Sequence, residues 1–554
     1  MFLRKIYVKK DKRKYTYLKL VENHWVKGKV VQKVLINFGN ISKWPASKVK
    51  IFIKKLSAFY KIEAPSFIDE KINHKNVLNY GQILLCQKLW DEIDAKELIK
   101  ECSKKLKIKF DISLPVKIMV FNRLIEPKSK LKVSEWYKRQ YFKETFNNQI
   151  PLQNFYRSLD HLMKIKGSLE NSLYFKLTNL FTLDLSLVFY DMTSSYFEGD
   201  GCDISDYGYS RDHRPDRKQI NIGLLVNGEG IPISHQVFRG NVKDTSTVGE
   251  TITKLEKRFK IKRCIFVGDK GMNSPENIQY LSDANYEYIF GLKLRHSKKA
   301  DEIISRIPDI KKFEKVKDNL FVKELKGEDK IRFIVCYNPV VAEKTKQNRK
   351  GHIKYSNEFL ENLKNFPKRG RPRKKDKLKK YIEKSLSKKG TLKFYHIEYN
   401  QNSFEYSLNS ENIQKEEKLD GIFILQTNSF SLSPSEIAIG YKTLAEVEYA
   451  FRNIKDFIKL RPIYHYSNIR VEGHVFICFL SYLLGKLIIK KLENCCNLKD
   501  TYRTPQSVLD KLEPLKAIVD EFEGYTFIKR TELYDQQSSL LKQFGIKNIP
   551  TLLN

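Results

Sequence analysis

The sequence has no Cys-x-x-Cys pair. Its eight cysteines are Cys86, Cys102, Cys202, Cys264, Cys336, Cys478, Cys495 and Cys496, so neither a zinc ribbon nor a thioredoxin-like redox site is indicated. Cys264 in RCIFVGD and Cys478 in FICFL lie in apolar runs and read as small core residues. Long apolar segments are also missing. The longest stretch, VFICFLSYLLGKLII, is interrupted by Lys486 and is too short to span a bilayer. The N-terminus shows no signal-peptide pattern. Together these absences point to a reducing cytoplasm. Tryptophan is scarce, and Trp25, Trp44, Trp90 and Trp136 are all N-terminal. Acid is in short supply too: 65 Asp+Glu face 102 Lys+Arg, for a net charge of +37. Positive charge spread along a whole chain suits a polyanion, with nucleic acid the first candidate. A Lys-rich composition inherited from an AT-rich genome is the bland alternative, so charge alone does not decide.

What is present can fold. Hydrophobic residues make up 41% of the 554, which argues against global disorder, and the length calls for several domains. Residues 1–75 carry short alternating runs, KIYVKK, YTYLKLVE and KVVQKVLINFG, and read as a small basic β-unit. Residues 76–180 are helical by apolar spacing, as in VLNYGQILLCQKLWDEI, with Ser113-Leu114-Pro115 a plausible helix start. Over 181–294 the pattern changes. LSLVFYD reads as a buried strand, KQINIGLLVNGEGIPISHQVF as a hairpin, VGETITKLEKRFK as a helix and RCIFVGD as a second buried strand. NSPENIQYLSDA follows as a helix and YEYIFGLK as a strand. Residues 295–425 mix strand-like runs with the basic stretch FPKRGRPRKKDKLKKYIEKSL. Residues 426–492 carry one helix from about Tyr441 to Leu460 and another from about Ile469 to Leu492. Residues 493–554 are weakly patterned.

Two carboxylates stand out. Asp191 and Asp269 each end an apolar strand run, where a hard cation can reach a sheet rim. Mg²⁺ favours a few carboxylate oxygens completed by water and phosphate, and two such ions can clamp both oxygens of a phosphodiester displacement. The bland reading, strand-end aspartates that begin turns, fits either one alone.

The words around them carry more. YDMTSSYFEG, YSRDHRPDRKQINIGLLVNGEGIPISHQVFRGNVKD, FVGDKGM and YKTLAEVEYAFRNIK resemble insertion-sequence DDE transposases of the IS-four superfamily, in its IS-sixteen-thirty-four branch. The resemblance is strong over about 185–300 and 420–490. It implies an α/β, ribonuclease-H-like catalytic core interrupted by a mostly β insertion, which here falls at 295–425. It also implies two Mg²⁺ (or Mn²⁺), and metal-dependent nicking and strand transfer at the ends of the protein's own element. The partner would be double-stranded DNA, as terminal inverted repeats and target, bound by a homodimer with the helical region on the ends. The third carboxylate of the family lies in a Y-x2-R-x3-E-x6-K signature. Tyr441, Glu448 and Lys455 match its spacing, and Leu444 stands where the Arg should be. Arg452 is the candidate substitute on the same helix. By helical rotation Glu448, Tyr441, Arg452 and Lys455 share one polar stripe, and Glu446 falls on the far side.

The resemblance leads the family's Lys, here Lys455, to touch phosphate; a solvated helix Lys is the plain alternative. For His213, Arg214, Asp216 and Lys218 two readings stand: they line the DNA path, or they brace a loop. Gly240-Asn241 with Asp244 reads as a structural turn using positive φ. Arg369 and Arg371, in KRGRPR, resemble a minor-groove hook, against a basic loop that meets phosphates only. A transposase-derived binding protein without activity, or a stand-alone nuclease of the same fold, are the competing functions. The first would be expected to have lost a carboxylate, and all three are present.

Overall fold

The computed structural model describes the chain except residues 11–12, 27–28, 63–72, 146–148, 182–186, 243–246, 250, 252–258, 260–264, 296–297, 308, 328–329, 366–374, 401–402, 494–501, 523–524 and 554. It divides into two units. One comprises Met1–Tyr80, Pro514–Asp535 and Asn548–Asn554, the other Gly81–Glu513 and Gln536–Lys547.

In the first unit the alternating N-terminal runs form an antiparallel three-stranded sheet, Phe2–Lys10, Arg13–Val26 and Lys29–Asn40. A helix follows over Ala46–Phe59. Phe38, Trp44 and Phe52 meet edge to face beside it. In a second sheet Lys516–Phe522 is central, paired with Asn73–Asn79 on one side and Tyr525–Arg530 on the other. The weakly patterned C-terminal region therefore completes a sheet with residues more than four hundred positions earlier, a pairing that no local pattern announces.

The second unit is mixed α/β, built on one large sheet. Its strands are β1 (Leu187–Tyr196), β2 (Gln219–Asn227), β3 (Pro232–Arg239), β4 (Ile265–Gly268), β5 (Glu287–Gly291), β6 (Glu314–Lys317), β7 (Leu320–Lys326), β8 (Arg332–Tyr337) and β9 (Ile422–Thr427). The spatial order is β6-β7-β8-β9-β5-β4-β1-β2-β3. β1, β2 and β3 form an antiparallel meander, whereas β1–β4 and β4–β5 pair in parallel. Two-sided burial explains the near-continuous apolar runs of β2 and β4. One face packs Val188, Tyr190, Phe266, Tyr288 and Phe290 into a core with Leu281 of the helix Pro275–Asp283. That helix starts where the sequence placed it, with the Ser274 hydroxyl accepting from Asn277 N.

The expected helix 248–260 lies mostly outside the described residues. The helical region is present as Gly81–Glu92, Ala95–Ser103, Ser113–Ile125, Lys130–Trp136 and Leu152–Phe181. Three of these pack on the helix Asn468–Glu493, which is apolar on nearly every side because it is buried among them. No helix among the described residues is long and apolar enough to cross a membrane.

Two expectations need correction. The segment 295–425 is not mostly β: it carries the helices Pro339–Lys364 and Lys375–Lys388. The longer one is polar nearly all round, burying only Arg349, Ser356 and Leu360, so it lacks the apolar stripe that periodicity detects. Its start was nevertheless readable, since Asn338 caps it and Pro339 occupies the first turn. Strands β6, β7 and β8 of this segment extend the large sheet, while Tyr395–Tyr399 and Phe404–Leu408 pair as a separate hairpin. The second correction concerns the helix expected from Tyr441 to Leu460. It is three pieces: Pro434–Lys442, Ala445–Arg452 and a π-helical turn over Asn453–Phe457. The Thr443 hydroxyl donates back to the Ile439 carbonyl at 3.2 Å, a bond that bends helices.

Candidate active site

Asp191 and Asp269 occupy one row of the sheet. The parallel register pairs Leu187 with Ile265 and Phe189 with Val267. Continuing it by two residues sets Asp191 beside Asp269, on the same face because side chains alternate. The next strand pairs Gly268 with Phe290, so Gly291 continues the row. β1 itself does not stop at Asp191. It runs on to Tyr196 along β2, with Asp191 opposite Leu224. Only its parallel pairing with β4 ends, because β4 finishes at Gly268. The rim that exposes Asp191 is therefore the end of its neighbour.

Both aspartates are half-buried. Asp269 Oδ1 accepts from Gly271 N at 2.8 Å and Met272 N at 3.2 Å, and Asp191 Oδ1 from Met192 N at 2.7 Å. These amide donors fix the direction of the two carboxylates.

Gly291 explains how a third group enters the row. A Cβ on it would lie 2.4 Å from the Tyr441 hydroxyl. The missing side chain leaves the place the phenol occupies. Tyr441 comes from the helix Pro434–Lys442, started by a Ser433/Glu436 capping box and Pro434. Burial pushes the Tyr441 hydroxyl above its ordinary range, and the charges of Asp269, Glu448 and Asp191 push it further. One neutral phenol thus stands within electrostatic reach of all three carboxylates and is kept protonated. Gly291→Ala is expected to keep the fold, since Gly291 needs no left-handed φ, and to displace the phenol. End cleavage should fall by on the order of 10²-fold, and adding Tyr441→Phe should recover part of it. Unchanged cleavage by Gly291→Ala would remove Tyr441 from the site.

Glu448 is exposed on Ala445–Arg452, a helix that packs over β1 and β2 through Val447, Ala450 and Phe451. Glu446 points elsewhere. Its carboxylate meets Lys486 at 3.1 Å and acts on Tyr482, not Tyr441. Leu444 is buried, 6% exposed, so the position of the family's Arg faces the core here. Arg452 is exposed on the Glu448 helix. Among the described residues no three His, Cys, Asp or Glu side chains stand close enough to form a ready-made metal cage.

The remaining expected site residues separate. Lys455 is not a solvated helix lysine. The π-helical turn rotates it inward, where its ammonium meets Asp212 at 2.6 Å. The single polar stripe drawn through Tyr441, Glu448 and Lys455 therefore fails at both ends, because 100° per residue holds only within Ala445–Arg452. Arg214 makes a two-pronged pair with Asp216, at 2.9 and 2.8 Å, over the Tyr196 ring. The guanidinium holds the Asp216 carboxyl down at about 2. The pair ties Arg214 to its own loop. Lys218 lines a polar cleft of about 450 Å³ with Asp203, Asp206, Arg239 and Tyr466. Gly240 serves close approach, not positive φ: a Cβ would lie 2.0 Å from the Gln219 carbonyl. Asn241 bonds Asp206 at 2.8 Å. Arg369, Arg371 and Asp244 lie outside the described residues.

A transposase DDE domain matches residues 183–484, and the chain belongs to that family of DNA transposases. Its N-terminal residues 3–65 match the N-terminal domain of IS1634 family transposases, which makes it an IS1634-like member. No curated protein matches. Among solved structures, the chain is similar to a piggyBac transposase synaptic complex with hairpin DNA, over 78% of this chain and 79% of that one, at 9% identity and a TM-score of 0.37. It is also similar to Marinitoga piezophila Argonaute in complex with 5′ OH guide RNA, over 59% and 64%, at 12% identity and a TM-score of 0.15. Neither likeness is deep enough to bear on the fold or the chemistry.

Proposed function

We propose that this chain nicks and joins the ends of its own insertion sequence, with Asp191, Asp269 and Glu448 as the catalytic carboxylates of a ribonuclease-H-like core. The carrying observation is the row Asp191–Asp269–Gly291 with the Tyr441 phenol seated in it under the charge of all three carboxylates. An antiparallel three-stranded meander followed by two parallel strands, in the order β3-β2-β1-β4-β5, supports the core assignment.

Three hard carboxylate oxygen donors suit Mg²⁺ or Mn²⁺. Two ions held by Asp191, Asp269 and Glu448 would supply charge stabilisation at both the attacking and the leaving oxygen. Asp191 on β1 and Asp269, one residue past the end of β4, would hold the ions from one side. Glu448 would complete the set from a separate helix, Ala445–Arg452. Tyr441 would keep a protonated phenol beside the three carboxylates. The attacking group is water in nicking and a DNA 3′-OH in joining. The chain's +37 charge supplies phosphate contacts, and a two-copy complex on paired ends is part of the reading.

The test uses the full chain and DNA carrying the element's ends. Nicking and joining should require Mg²⁺ or Mn²⁺ and vanish in Asp191→Ala. Undiminished cleavage in EDTA, or by that variant, overturns the reading.

A further inference from the structure

Asp212 was part of a motif in the sequence, YSRDHRPDRK, yet no role attached to it. In the structure its side chain is 2% exposed and takes two cations. Lys455 Nζ lies 2.6 Å from Oδ1, and Arg461 pairs with the same oxygen. Arg461 also reaches Asp456 at 3.0 Å. Oδ2 of Asp212 is buried without a hydrogen-bond partner.

The position matters more than the pairing. Asp212 sits on the loop between β1 and β2. That loop is tied to β1 where Arg211 N donates to Ser194 Oγ at 2.8 Å, three residues past Asp191. Lys455 sits on the π-helical turn that directly continues the Glu448 helix, and Arg461 on the segment after it. A short bridge between Phe197 and Ile463 stitches that same segment to the end of β1. The carboxylate of Asp212 therefore joins the strand of Asp191 to the C-terminal end of the helix of Glu448. A buried ion pair is poor evidence of added stability but a good fixer of register.

We infer that Asp212 is a positioning residue: through Lys455 and Arg461 it sets how the Glu448 helix lies over Asp191 and Asp269. This rests on the reading of Glu448 as the third carboxylate. Lys455 acts inside the protein in this role, as an anchor.

The experiment compares Asp212→Asn, Lys455→Met and Glu448→Gln in the full chain. It measures end-DNA affinity, nicking rate, the Mg²⁺ and Mn²⁺ concentration for half-maximal nicking, and thermal midpoint. Asp212→Asn is expected to bind ends within about twofold. It should raise the half-saturating metal concentration by roughly tenfold, the scale at which groups that orient metal ligands act, and slow nicking by on the order of 10²-fold. Lys455→Met should shift metal dependence in the same direction without loss of end affinity. Arg461→Gln leaves the Lys455–Asp212 pair intact and should show a smaller shift of the same kind, which keeps the inference testable if Asp212→Asn does not fold. An unmoved metal dependence in Asp212→Asn and Arg461→Gln overturns the inference. So does a Lys455→Met variant that loses end affinity in step with nicking. If Glu448→Gln still nicks, the reading of the site falls first. If Glu448→Gln is dead while metal dependence stays fixed in the others, only the inference falls.

Discussion

Glu448→Gln is expected to abolish nicking and joining, by more than about 10³-fold, while the protein still binds element ends. Glu446→Gln, two residues away, should stay within a few-fold of wild type. The structure gives the contrast its basis. Glu446 is neutralised by Lys486 at 3.1 Å, beside the β2–β3 turn. Glu448 has Tyr441 within electrostatic reach, and that same phenol feels Asp191 and Asp269. Gln keeps the shape of Glu but loses the negative oxygen a hard cation needs, so the loss isolates metal binding. Cleavage of end-containing DNA and a mobility-shift titration, run on the same preparations, separate chemistry from binding. A dead Glu446→Gln beside an active Glu448→Gln would reassign the third carboxylate. Loss of end binding by Glu448→Gln would make its role architectural.

How much of this was legible from residues alone differs by element. The strands were legible because two-sided burial writes continuous apolar runs, as in Ile220–Val226 and Ile265–Val267. Asp191 was found for a reason that held only in part. It does not end its own strand; it lies where the neighbouring strand ends, a fact about pairing that β1 alone does not contain. The helix of Glu448 was visible in Val447 and Phe451, but its interruptions at Thr443 and Asn453 were not. No proline or glycine marks either one. A rotation counted through them put Lys455 on the polar stripe with Glu448, and a π-helical turn put it on Asp212.

The row that seats Tyr441 was hidden for a different cause. Gly291 looks like an unremarkable strand glycine until a helix far along the chain is laid across it. The helix Pro339–Lys364 escaped periodicity because its surface is polar nearly all round. The C-terminal strands were unreadable because their partner, Asn73–Asn79, lies at the other end of the sequence.

Lys130→Met is expected to stabilise the protein near neutral pH, the largest stability effect among these predictions. Lys130 is 3% exposed. Its ammonium has His474 Nδ1 at 3.5 Å, a long contact. The charges that act on it are Arg123, which repels, and Cys478. Burial, and then Arg123, bring the lysine down from 10.5 to about 7. The sign follows from proton counting. Below pH 7 both folded and unfolded chains carry the charge, and the folded state bears the full burial cost. Between about 7 and 10.5 the unfolded chain binds a proton the folded one does not, so stability rises with pH. Above that window the cost is gone. A shift of this size corresponds to on the order of 3–5 kcal/mol. Met keeps the long unbranched shape and removes the charge, so it should recover a large share of that near pH 6–7 and almost none near pH 10.5. His465 adds an acid-side signature. Burial and the Lys130 charge hold it down at about 3, so stability is lost as pH falls from 6.5 toward 3. With Lys130 removed, one of the charges that depress His465 is gone; burial still holds it down, so that acid loss shrinks only in part. Urea unfolding at pH 5, 7 and 9.5 reads both effects. A Lys130→Met variant less stable than wild type at pH 7 would mean the ammonium is held by interactions worth more than its burial costs, and the cluster of Arg123, Lys130, His465 and His474 would then be a stabilising one.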